Sequence, residues 1–95
     1  MALRVNMDKS GLVPHSVPSQ IRITIEGDNR DELDTPDARD LAIKAAADVG
    51  FGNVGFNNQP NIGPVDVATG EIIETLDPKL KISCWRAEFE LQQRL

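Results

Sequence analysis

Apolar and polar residues alternate most regularly in QIRITIE, Gln20 to Glu26, where Ile21, Ile23 and Ile25 interleave with Arg22, Thr24 and Glu26. A period of two belongs to a strand with one buried face, so this stretch predicts the clearest strand of the chain. Gly27, Asp28 and Asn29 end it. An acidic connection then runs to Thr35-Pro36-Asp37, which reads as a helix start. The Thr35 hydroxyl caps, Pro36 suits the first helical position because its missing N–H has no partner there, and Asp37 favours the positive end of the macrodipole. A helix from Pro36 to about Val49 follows, with Ala38, Leu41, Ala42, Ala45 and Val49 on one stripe and Arg39, Asp40, Lys44 and Asp48 largely off it. Gly50 closes it as a left-handed cap.

Beyond the helix the pattern loosens. GFGNVGFNNQPNIG, from Gly50 to Gly63, interleaves Phe51, Val54, Phe56 and Ile62 with Gly and Asn, and predicts irregular backbone or a short strand over Asn53–Asn57. Val65-Asp66-Val67 and Glu71–Leu76 flank Ala68-Thr69-Gly70, a hairpin signal with Gly where positive φ is needed. In KLKISCWRAEFELQQRL, Leu80, Ile82 and Cys84 share one parity and Trp85, Ala87, Phe89 and Leu91 the other. One strand spanning both must change faces at Cys84/Trp85, which predicts a β-bulge there. A helix from Arg86 competes on propensity. Strand is preferred because Arg86, Glu88, Glu90 and Gln92 alternate so cleanly with apolar neighbours.

These elements predict an α+β fold: a small antiparallel sheet of three to four strands with one helix packed on one face, in βαββ order. Residues 1–19, with Pro14, Pro18 and Gly11 and no sustained period, are expected as an extended N-terminal arm, and residues 20–95 as a single α+β domain. SGLVPHS partly resembles a vector-derived protease linker but departs from one at His15. If the arm is native, Leu3, Val5, Leu12 and Val13 suit a sheet edge.

Ninety-five residues support only a small core, and Phe51, Phe56, Trp85 and Phe89 are its few aromatic side chains. The single Cys84 forms no internal disulfide, and no apolar run approaches a secretory core or a membrane span, so a cytoplasmic protein is expected.

Charge adds the strongest signal. The net charge is −5, and Glu26 to Asp40 alone, with seven acids against two bases, also sums to −5; the +2 before it and the −2 after it cancel. Such a field attracts basic partners and repels nucleic acid and anionic lipid.

Candidate chemistry is sparse. Cys84 and His15 are the sole thiol and imidazole; Cys84 falls on an apolar parity and His15 in the Pro-flanked arm, so no nucleophile–base pair is expected. One Cys and one His do not make a zinc site. The acidic loop lacks the calcium-loop pattern because Arg30 stands third after Asp28 starts the count. Gly50-Phe51-Gly52-Asn53-Val54-Gly55 matches G-x-G-x-x-G as a string, but it follows a helix where a dinucleotide fingerprint follows a strand. Acidic pairs abound without a pocket to employ them.

The sequence therefore predicts no catalytic residues, no metal and no cofactor. It points to a non-enzymatic protein–protein interaction module. One version is a small acidic inhibitor of phage or mobile-element type, docking on the basic surface of a nucleic-acid-processing complex. Expected contact residues are Glu26, Asp28, Asp31, Glu32 and Asp34 in the acidic segment and Phe51 and Phe56 in the Gly/Asn loop. Direct contact with nucleic acid or membrane is not expected. The alternative is a structural subunit of a homo-oligomer or viral particle; a homodimer is compatible with either.

Overall fold

The isoleucines of QIRITIE form the floor of the core. The computed structural model describes residues 3–13, 19–57, 59–73 and 81–94, and within them five strands make one antiparallel sheet. In chain order these are β1 (Arg4–Leu12), β2 (Gln20–Gly27), β3 (Val54–Phe56), β4 (Asn61–Asp66) and β5 (Ile82–Gln93). Two helices, α1 (Arg30–Leu33) and α2 (Pro36–Asp48), separate β2 from β3. The spatial order is β1-β2-β5, with β3 and β4 lying end to end along the far side of β5.

One face of the sheet carries the core. Ile21, Ile23 and Ile25 of β2 and Ala87, Phe89 and Leu91 of β5 pack with Leu33, Ala38, Ala42, Ala45 and Ala46 of the helices. The alanines let α2 lie close to the sheet, so the larger side chains Phe89, Ile23, Ile25, Leu91 and Leu33 supply most of the buried area. Each stabilises by about 1.5–3 kcal/mol on complete burial. The opposite, open face presents the intervening Arg22, Thr24, Glu26, Arg86, Glu88 and Glu90.

The α+β class agrees with the sequence, but the strand count and order do not. Three to four strands were expected, all but the first after the helix, with the residues before QIRITIE an extended arm whose Leu3, Val5, Leu12 and Val13 suit a sheet edge. In fact β1 precedes β2 and pairs with it, giving a ββααβββ order. The period of two is broken in β1 because its register shifts: Asn6 opposes Thr24 and Gly11 opposes Arg22, so five steps of β1 match two of β2. The surplus, a wide bulge over residues 7–10, brings Lys9 and Ser10 to the open face, where Thr24 Oγ1 donates to the Lys9 carbonyl at 2.9 Å and Thr24 N–H to Ser10 Oγ at 2.9 Å.

The helix start is as expected. Ala38 N–H donates to Thr35 Oγ1 at 3.3 Å, Pro36 occupies the first position, and Gly50 takes φ +98 after the helix. The buried stripe, however, is turned towards Ala46, leaving Leu41 half-buried and Val49 46% exposed. α1 was not expected. Asn29 Oδ1 accepts from Glu32 N–H at 3.0 Å while Asn29 Nδ2 donates to Glu32 Oε1 at 2.9 Å, a reciprocal cap that starts a single turn and buries Leu33.

β5 remains a strand to Gln93, which removes the helical alternative for its second half. Its bulge falls a little earlier than the parity argument placed it. Val65 opposes Cys84 and Asp66 opposes Ile82, so Ser83 is the extra residue, with Ser83 Oγ donating to the Val65 carbonyl at 3.4 Å. Cys84 consequently stands half-buried beside Arg86 on the open side instead of in the core. The Ala68-Thr69-Gly70 turn forms, with Asp66 Oδ1 accepting from Ala68 N–H at 3.1 Å and Val65 bridging Ile72. The expected return strand beyond residue 73 lies outside the described residues, as does His15.

Candidate functional site

The acidic run is divided by the fold into an inward and an outward part. Glu26 ends β2 on the open face and is only 8% exposed. Its Oε2 accepts from Arg86 Nε at 2.8 Å, Arg86 Nη2 at 2.7 Å and Asn6 Nδ2 at 3.1 Å, and Arg4 Nε stands 3.6 Å from Oε1. Arg86 Nη1 donates to the Gly70 carbonyl at 2.8 Å. The Gly70–Ile72 chain can lie this close because residue 63 is glycine; a Cβ there would collide with the Ile72 side chain. Burial pushes the Glu26 carboxyl up, but hydrogen bonds from Asn6 and Arg86 and the charges of Arg86 and Arg4 outweigh it, and the group titrates below its ordinary 4.5. Glu26 is thus an internal structural charge, engaged by Arg86, Asn6 and Arg4.

From Asp28 onward the carboxylates turn outward. Asp28, Asp31, Asp37 and Asp40 are exposed, with no counter-charge within ion-pair distance among the described residues. Glu32 is half-buried and occupied by the Asn29 cap. Asp34 is exposed and meets Arg39 Nη2 at 3.4 Å, an exposed pair worth about 0–1 kcal/mol. Short capped helices fix these positions: Asn29 starts α1, and Thr35 Oγ1, donating to the Glu32 carbonyl at 2.7 Å, joins α1 to α2.

The two phenylalanines separate. Phe56, on β3 opposite Leu91, is 38% exposed and lays its ring on Phe89, centroids 5.7 Å apart and tilted by 53°. It shares a shallow depression of about 330 Å³ with Arg39, Asn57, Gln59 and Pro60. A neighbouring one of about 260 Å³ carries Arg30, Asp34, Arg39 and Gln59. Arg39 therefore joins Phe56 to the acidic segment. Phe51 instead packs against the core and faces β1, beside Met7, Leu12, Ile21 and Val49.

Sequence reasoning missed Arg30, Arg39 and Gln59. The available signal was that Arg30 and Arg39 are the two bases inside an acidic run, which places them among its neighbours whatever the fold. Among the described residues no cluster of three or more His, Cys, Asp or Glu is arranged to hold a metal ion, and no helix is long and apolar enough to cross a membrane.

No protein-family model, curated protein or solved structure matches the chain.

Proposed function

We propose that this protein is a non-enzymatic interaction module that docks, through the outward carboxylates of Asp28 to Asp40, on a basic surface of a partner protein. A groove that otherwise receives nucleic acid is the surface whose charge suits it best, because carboxylates then stand where phosphates would. An inhibitor of a nucleic-acid-processing complex is the form of this function that a compact acidic domain fits.

The observation that carries the reading is that Asp28, just before the cap of α1, and Asp31, Asp37 and Asp40, on the two capped helices, sit exposed without internal counter-charges among the described residues. Phe56, exposed beside Arg39, supplies an aromatic contact at the margin.

The test compares the native chain with Asp28→Lys/Asp31→Lys as affinity baits in extract from its own host. Neither side chain contributes to a cap, so the variant keeps its circular dichroism. The native bait is expected to retain a basic protein that elutes on raising salt or on adding DNA, and the variant to bind it at least about tenfold more weakly, about 1.4 kcal/mol. Equal retention by both baits would end the reading.

A further inference from the structure

β1 is an edge strand, with β2 on one side and no strand on the other among the described residues. An edge offers unpaired N–H and C=O groups, and the ladder tells which residues offer them. Val13 N–H donates inward to the Gln20 carbonyl at 3.0 Å, so alternation turns the N–H and C=O of Leu12 outward. Before the bulge, Thr24 aims its N–H at β1, where Ser10 Oγ takes it. The residues opposite Thr24 and Glu26, Asn6 and Arg4, therefore face inward, and Val5 between them faces outward.

Val5 and Leu12 also share a side-chain face. Val5 opposes Ile25 and Leu12 opposes Ile21, both members of the core, so both stand on the helix side of the sheet. Met7, Leu12 and Val49, 51%, 67% and 46% exposed, line a depression of about 310 Å³ there together with Ile21 and Phe51.

We propose that β1 is a homodimer edge: it pairs antiparallel with β1 of a second copy about a two-fold axis, Val5 of each opposite Leu12 of the other. This register satisfies two requirements at once. Outward backbone meets outward backbone, and helix-side face continues helix-side face. The copy that crosses at Leu12 covers the apolar side chains exposed beside it. Lys9 guards only the middle of the edge, since it is drawn onto the open face, with Lys9 Nζ lying 3.3 Å from Glu71 Oε1. The flanking runs remain regular. The inference is independent of the acidic docking surface, which lies on α1 and the start of α2.

Sedimentation velocity of the full chain over about 1–100 µM, the range of a weak interface, is expected to show mass rising to twice that of one chain. Leu12→Pro removes an outward donor while leaving the inward bonds of its neighbours, and Leu12→Lys places charge at the two-fold-related contact. Each is expected to keep the native circular dichroism and to remain monomeric. In a Cys84→Ser background, Val5→Cys/Leu12→Cys is expected to form a disulfide-linked dimer on mild oxidation, since facing Cα atoms stand about 5.5 Å apart, whereas Leu12→Cys alone does not. A monomer throughout the range, a dimer indifferent to both Leu12 substitutions, or cross-linking of Leu12→Cys alone as readily as of the pair would overturn the proposal.

Discussion

At the scale of single residues, the same side-chain type serves opposite ends a few positions apart. Glu26 is held by two guanidiniums and an amide; Asp28, two residues on, meets none of them. Truncating one member of a buried pair strands the other. Arg86→Met is therefore expected to destabilise by about 3 kcal/mol in urea unfolding, and Glu26→Leu/Arg86→Met to recover most of that loss. If the double variant is no more stable than Arg86→Met, the pair is not the origin of the cost. The same group sets an acid limit. A carboxyl that titrates below its unfolded value stabilises fully above about pH 4.5 and loses that contribution as pH falls through its lower folded value. The stability gap between the native chain and Glu26→Gln should thus be constant at neutral pH and narrow below 4.5. A gap that does not change with pH would show that Glu26 does not titrate in this way. Nothing in the sequence separated Glu26 from its acidic neighbours except its place on the polar parity of QIRITIE, and parity does not reveal that the Gly70–Ile72 turn folds over that face.

At the scale of elements, local chemistry was legible where it acts over three or four residues. Thr35 caps α2, and Thr35→Ala is expected to lower stability by about 1 kcal/mol in the same unfolding assay; a change within error would mean that the Glu32–Thr35 junction holds the helix start without the hydroxyl. Alternation identified β2 and β5, and Gly50 marked the end of α2. Elements defined by distant partners were harder to see. β1 has two apolar fragments, around Val5 and Leu12, brought to one face only by an irregular stretch whose hydrogen bonds go to Thr24. α1 is a single turn that exists because Asn29 and Glu32 satisfy each other and Leu33 finds the core. The rotation of the α2 stripe towards Ala46 has the same origin, since a helix face rich in alanine is set by what the sheet offers and not by its own pattern.

At the scale of the whole molecule, the fold sorts charge. The open face neutralises itself through Arg86, Glu26 and Arg4 and through Arg22 with Glu90 at 3.3 Å, while the helical face keeps an excess of carboxylates on its first two turns of helix. Composition located that excess in sequence from Glu26 onward, while the sheet turns Glu26 inward to Arg86. Phe56 and Arg39 join it because β3 and β4 pair with the same strand, a coincidence of topology that no local pattern announces. Asp28 to Asp40 is proposed to form an outward docking surface for positive charge. Its most direct test is a two-dimensional amide NMR titration of the chain with an oligolysine peptide at low and high salt. Salt-sensitive shifts confined to residues 28–40, with neighbours around Phe56, are expected; shifts spread evenly over the open face, or none at low salt, would contradict the claim.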